Sequence, residues 1–342
     1  MRISHLLAVA ATLSAIALTA IWWGVDQRGR DDLVVYCAHD LIYAESVIND
    51  FRDKTGISVA VLGDTEAAKS LGLVERLMRE RGNPHCDVFW NNEPLATLTL
   101  AREGLLQPYQ GPEAAERPAE FRGADGAWAG FGVRFRVWIV NTDAMPATEA
   151  AIDERLAADD LSKLAVAEPL YGTTLTHYSL LWNLWGPERL QEWHRSLKSR
   201  GCHFVKGNGA VKDLVASGVC DFGLTDTDDA LVALDAGAPV AMLPVRVDGR
   251  TIAIANTASI VRGTKRLSDA ERLVDHLLSA ETEIRLANSG SGQAPVHFGV
   301  DASRLPENVA MMQEWTTQGA SLAGLDQARD ACLAWLQKEF AP

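Results

Sequence analysis

The sequence predicts an α/β protein of two lobes, each built on a mostly parallel sheet flanked by helices. Three observations lead there. Apolar runs of strand length alternate with segments of helical spacing from Leu33 to Leu105, and the same plan returns between Leu164 and Gly237. The chain has 342 residues, 47% of them hydrophobic, enough for two buried cores. Such alternation implies parallel strands covered on both faces, and ligands of these sheets bind beyond the carboxyl ends of the strands.

Taken in order, DLVVYCAHD is an apolar strand ending in polar residues, and AESVINDFRDKTG has helical spacing with Gly56 as its stop. ISVAVLG and CDVFWNN are further strands, each followed by a helix, EAAKSLGLVERLMRERG and PLATLTLAREGLL. GAWAGFGVRFRVWIVNT reads as paired strands with Gly130 and Gly132 between them. AVAEPLYGTTLTHYSLLWNLWG gives a strand, a turn and a helix, and ERLQEWHRSLKSRG a second helix. HFVKGNGAVKDLVASGVCDFGLTDTDDALVALDAG repeats strand, helix and strand. APVAMLPV and TIAIANTASIV are strands, while DAERLVDHLLSAETEIRLANSG and ARDACLAWLQKEFA are amphipathic and helical. The two lobes are expected to join near residues 140 and 238, with a helical segment over 301–342.

Residues 1–30 form an export element: a positive charge at Arg2, then an apolar run from Leu6 to Val25. AIA ending at Ala17 suits signal peptidase, whereas the length of the run and the pair Trp22 and Trp23 suit a retained membrane anchor. Either way the remaining chain faces an extracytoplasmic space, where disulfides are permitted. Five cysteines are an odd number. Cys202 and Cys220 each open a strand, so neighbouring strands would bring them within bridging reach; the alternative is two small buried residues. The net charge of -13 argues against nucleic acid and favours a cationic or small polar ligand. No GxSxG, HExxH, P-loop or dinucleotide motif is present, and the eight histidines are scattered, so an enzyme is not expected.

The stretches LVVYCAHD, FRDKTGISVAVLGDTEA, NPHCDVFWNNEPLATLTLAREGLLQPY, VRFRVWIVNT, GNGAVKDLVASGVCDFGLTDTDDA and ANTASIVRGTKRLSDAERLVDHLLSAE, in this order, resemble the periplasmic solute-binding proteins of ABC importers, in particular the ferric-ion-binding class. The resemblance covers most of residues 33 to 295. It implies a type II periplasmic-binding-protein fold, with residues 32–138 and 239–300 in one lobe, 139–238 in the other, and the ligand in the cleft between them. It implies hinge closure on the ligand, a monomer and an inner-membrane permease as partner. A membrane-anchored ligand sensor is the alternative if the N-terminal segment stays attached. Ferric-binding members ligate iron through consecutive tyrosines after the second-lobe strand; Asp228 and Asp229 stand there instead. Where many members carry a histidine, this chain offers His39 and Asp40, and Glu66 falls where the class often has an acidic or amide ligand. A bound metal would then draw on Asp40, Glu66, Asp228 and Asp229. Carboxylates serve hard cations and ammonium groups alike, so iron with altered ligands and an organic amine both fit.

At the remaining strand ends the expected cleft residues are Asn92 and Glu93, Thr173 and Thr174, Asn208, and Asp226. Carboxylates sharing one cleft repel one another and raise their pKa values unless a cation compensates them. The bland reading of GLTDTDDA is one helix cap with two solvated acids. Thr173 and Thr174 at a helix start suit an oxyanion or simple capping, and NNE either reads a polar ligand or has Asn92 as the cap of the helix opened by Glu93 and Pro94. Arg134 or Arg136 could hold an anion such as a sugar phosphate, or make a structural ion pair. Trp90 is placed to close over an organic cation, while Trp182, Trp185 and Trp193 belong to a core.

Overall fold

The computed structural model describes residues 32–63, 71–322 and 324–340. The expected export segment and Glu66 lie outside the described residues. β1 (Leu33–Cys37) leads into α1 (Leu41–Thr55), which Gly56 ends in the left-handed conformation by donating its N–H to the Arg52 carbonyl. β2 (Val59–Gly63), α2 (Leu71–Arg79), β3 (Val88–Asn91), α3 (Pro94–Arg102) and β4 (Leu106–Gln107) complete the first run. The short α4 (Pro112–Ala115) precedes a long β5 (Ala129–Asn141). Then come α5 (Glu149–Ala157), β6 (Leu164–Ala167), α6 (Gly172–Trp185), α7 (Pro187–Ser199), β7 (His203–Val205), α8 (Asn208–Ala216), β8 (Phe222–Asp226) and α9 (Thr227–Asp235). The chain returns through β9 (Val240–Pro244), a hairpin of β10 (Arg246–Val247) and β11 (Arg250–Thr251), and β12 (Ala253–Val261). α10 (Leu267–Leu278), α11 (Ala280–Ala287), α12 (Glu307–Ala310), α13 (Gln313–Thr317) and α14 (Leu325–Glu339) finish it.

The strand order is β2-β1-β3-β12-β5-β8-β6-β7, with β4 on β12 and β9 on β5. Pairs within each half are parallel, as the βα alternation requires, whereas β12 and β5 run antiparallel to their neighbours at the centre. The expected paired strands around Gly130 are one continuous strand. Its first part pairs with β12 as far as Phe135, and its second part pairs with β8 and β9 from Arg136 onward. A single strand therefore belongs to both halves. Because β9 pairs with Val137–Asn141, the return crossing comes after residue 244 rather than near 238.

A buried polar hub lies where β5 prepares to change partners. Gly132 has φ +51°, and a Cβ there would meet Gln293 Oε1 at 2.6 Å, so only glycine fits. Its N–H donates to Glu283 Oε1 at 2.8 Å, and Asn256 Nδ2, beside a register shift in β12, donates to the Gly132 carbonyl at 2.7 Å. Glu283 is wholly buried and also accepts from Val296 N and His297 N, with Arg117 Nη2 4.0 Å away. Around the hub the buried apolar residues form four clusters.

α14 spans the junction. Trp335 meets Trp182 of α6 with ring centroids 5.8 Å apart, and Arg102 of α3 pairs with Asp326 and Asp330. Cys202 and Cys220 are buried, unbonded thiols. Of the two readings, two small buried residues is the one that matches: β6 lies between β7 and β8, so the strands that follow Cys202 and Cys220 are not neighbours. Removing one partner of a buried pair leaves a charge without compensation, so Glu283→Ala should cost about 3–5 kcal/mol of stability, read from urea unfolding.

Candidate functional site: an acidic cleft at the strand ends

Five of the parallel strands, β1, β3, β6, β7 and β8, are followed by residues that line a cavity of about 420 Å³. Asp40 comes from the β1–α1 turn, Asn92 from β3–α3, Ala167, Glu168 and Tyr171–Thr174 from β6–α6, and Lys206–Ala210 from β7–α8. Asp226, Asp228 and Asp229 come from the end of β8 and the first turn of α9, and Arg134 from the middle of β5. Both halves thus contribute, at the ends where such sheets bind ligands.

The sequence leaves Asp226 at the N-cap of α9, yet its carboxylate makes no cap bond. It turns instead to Arg136, whose Nη1 donates at 2.6 Å, to Thr173 Oγ at 2.5 Å and to Asn208 Nδ2 at 2.9 Å. The register places Arg136 of β5 directly opposite Asp226 of β8. Arg134, two residues earlier, donates from Nη1 to Asp228 Oδ2 at 3.1 Å. Among the described residues Asp229 has no such partner; its carboxylate accepts from Thr225 Oγ at 3.4 Å. One carboxylate oxygen from each of the three aspartates lies within 4.8 Å of the others.

These distances decide the electrostatics. Burial, then repulsion from Asp228 and Asp226, pushes the Asp229 carboxyl up to about 8. Burial also raises Asp228, against the opposing pull of Arg134. Burial works against the charge of Arg134, but Asp228, Asp226, Asp40 and Asp229 outweigh it and shift the guanidinium upward. Tyr43 of α1 is raised by burial and then by Asp40 and Asp228, which places it at the same acidic centre.

Of the residues expected from the sequence, the fold brings Asp40, Asn92, Arg134, Thr173, Thr174, Asn208, Asp226, Asp228 and Asp229 to one cavity. Three others go elsewhere. Trp90 is fully buried against Phe131, and its Nε1 donates to Asn256, so it cannot close over a ligand. His39 is buried and stacked on the Trp90 ring, with centroids 5.4 Å apart, and is not part of the cavity lining. Glu93 is itself the cap of α3, accepting from Leu95 N at 2.7 Å and Ala96 N at 2.9 Å, and it receives the Thr176 hydroxyl from α6. Sequence reasoning missed Glu168, Lys206 and Gly209, although they follow strand ends by the same rule that found the others.

A model of the family described as bacterial extracellular solute-binding protein matches residues 33–290. The chain belongs to that family. It is a binding protein of the kind that serves ABC importers, not an enzyme. The chain is 27% identical to a probable ABC transporter periplasmic-binding protein, y4fP, of Sinorhizobium fredii, over 78% of its own length and 75% of the relative's. It is 26% identical to iron uptake protein A1 of Synechocystis, over 81% and 78%. In structure it is similar to the ferric binding protein from Campylobacter jejuni, with TM-score 0.78, 18% identity and coverage of 91% and 99%. It is similar also to AfuA from Actinobacillus pleuropneumoniae with fructose-6-phosphate bound, with TM-score 0.74, 17% identity and coverage of 90% and 98%. These likenesses establish the two-lobed type II fold for this binding protein. Among its described residues no helix is long and apolar enough to cross a membrane.

The Asp229 shift gives the ligand-free binding protein a defined pH dependence. An aspartate that titrates near 4 when unfolded and near 8 when folded adds stability that is complete below the lower value and lost as pH rises through the upper one. Wild-type stability should therefore fall relative to Asp229→Asn between about pH 4 and 8, approaching about 1.4 kcal/mol per pH unit in mid-window. Urea unfolding of both proteins across that range, in metal-free buffer, checks it.

Proposed function

We propose that this protein captures a small cationic ligand in the cleft, closes around it as a monomer, and delivers it to an ABC permease in the inner membrane. The observation that carries this reading is Asp229: a carboxylate in the cleft wall whose charge is suppressed by burial and by repulsion from Asp228 and Asp226 that outweighs Arg134 and Arg136, with no positive neighbour at ion-pair distance among the described residues. A cation supplies that neighbour, and binding would displace the proton. Arg136 and Arg134 already neutralise Asp226 and Asp228 in part, so Asp229 sets the demand for positive charge.

Two cation classes suit the donors. A hard metal ion such as iron would draw oxygen atoms from Asp228 and Asp229, with Asp40 across the cleft; Asp228 and Asp229 take the place the resemblance gives to tyrosines. A primary amine would donate its N–H groups to the same oxygens. Iron is named for relatives such as iron uptake protein A1. The lobes would move about β5 and β12, the strands that link the halves.

A second reading, an anionic solute such as a sugar phosphate, is favoured by Lys206 and by the starts of α6 and α8, which lack side-chain caps. The AfuA structure carries such a ligand.

A thermal-shift screen against metal ions, primary amines, amino acids and sugar phosphates separates the two. A ligand at about a hundred times its Kd adds about 2.7 kcal/mol to the native state. Cations should raise the unfolding temperature and sugar phosphates should not; the reverse outcome selects the second reading. For the cation so identified, Asp228→Asn combined with Asp229→Asn should weaken binding at least tenfold by calorimetry.

A further inference from the structure

Asp226 occupies an unusual place in the cleft. The N-caps of α6 and α8 are Tyr171 and Gly207, and neither helix start has a side-chain cap. Their first turns touch: Asn208 Nδ2 donates to Thr173 Oγ at 3.0 Å, and Thr174 Oγ donates to Asn208 Oδ1 at 3.2 Å. Two helix starts brought together present free N–H groups and the positive ends of two dipoles, an arrangement that draws an oxyanion. Positive capacity is added from behind. Arg136 is fully buried with Nε and Nη2 unpartnered, and Arg134, 8% exposed and part of the cavity wall, has Nε unpartnered.

The oxyanion found there is the protein's own. Asp226 is 2% exposed, accepts from the first-turn side chains of both helices and from Arg136, and forgoes the cap of its own helix to do so. We infer that Asp226 is a built-in anion that fills the oxyanion position of the cleft and thereby excludes phosphate- and sulfate-bearing ligands from it. This rests on the cationic reading of the same cleft and narrows it: the ligand arrives without a co-bound or covalently attached oxyanion at this corner. The physical cause is repulsion in a partly desolvated site, where a second negative charge would face Asp226, to which Arg136 Nη1, Thr173 and Asn208 already donate.

The test uses inorganic phosphate alone. It is titrated by calorimetry, at constant ionic strength and with no metal or amine present, into the full protein and into Asp226→Asn, which keeps shape and hydrogen bonding but removes the charge. Wild type should show no phosphate binding in the millimolar range, and Asp226→Asn should bind it at least tenfold more tightly. Wild-type binding as tight as the variant's, or a folded variant that gains none, overturns the inference. If Asp226→Asn does not fold, Asp226→Ser serves in its place, and the wild-type titration still decides by itself, since phosphate binding there at sub-millimolar Kd contradicts a filled site. Because no cation enters the experiment, its failure leaves the cationic reading standing, and failure of the cation screen leaves the phosphate result readable.

Discussion

Arg134 and Arg136 lie two residues apart on β5, so they face the same side of the sheet, and each meets an aspartate from the end of β8. The rest of the cleft depends on this double pairing. β5 carries its positive charges to the point where it leaves β12 and joins β8, so the strand that links the halves also anchors the acidic wall. The inner pair is shielded almost completely; the outer pair opens on the cavity. Moving along the wall, compensation weakens from a 2.6 Å charged hydrogen bond at Asp226, through one of 3.1 Å at Asp228, to no ion pair among the described residues at Asp229, whose carboxyl is pushed up to about 8.

Such an arrangement separates two tasks that acidic residues perform. Asp226 is structural: bound on both oxygens, it ties β5, α6 and α8 together. Asp229 is functional in the proposed sense, since its charge is wanted by a ligand and not by the fold. Buried ion pairs are weak contributors to net stability but costly to break singly, which suits a wall that must keep its shape while the ligand comes and goes. The α14 helix, held to α6 by packing and to α3 by Arg102, adds a second connection across the same junction.

Much of the fold was legible because βα alternation is a strong periodic signal: β1 through α3 and β6 through α9 follow the expected order. The centre was not, since Gly130 and Gly132 look like a turn in sequence, and only the side chains of Asn256, Gln293 and Glu283 show why Gly132 sits inside a strand. The site was found largely by one rule, the carboxyl ends of parallel strands. That rule locates backbone and says nothing of side-chain direction, so Trp90 and Glu93, at the correct strand end, point into the core and onto a helix terminus. In GLTDTDDA it is Asp228 whose Oδ1 accepts a first-turn amide, Asp229 N at 3.2 Å, and not the N-cap residue Asp226, for a related reason. Asp226 holds the position, but the arginine opposite it on β5 is a stronger partner than the helix amides.

The central claim is that this cleft holds positive charge. Its most direct measurement is the identity of the solute carried by the protein isolated from the periplasm without dialysis, by native mass spectrometry with elemental analysis. The account predicts a metal ion or an amine, without phosphate or sulfate. An anionic metabolite retained in the cleft would contradict it.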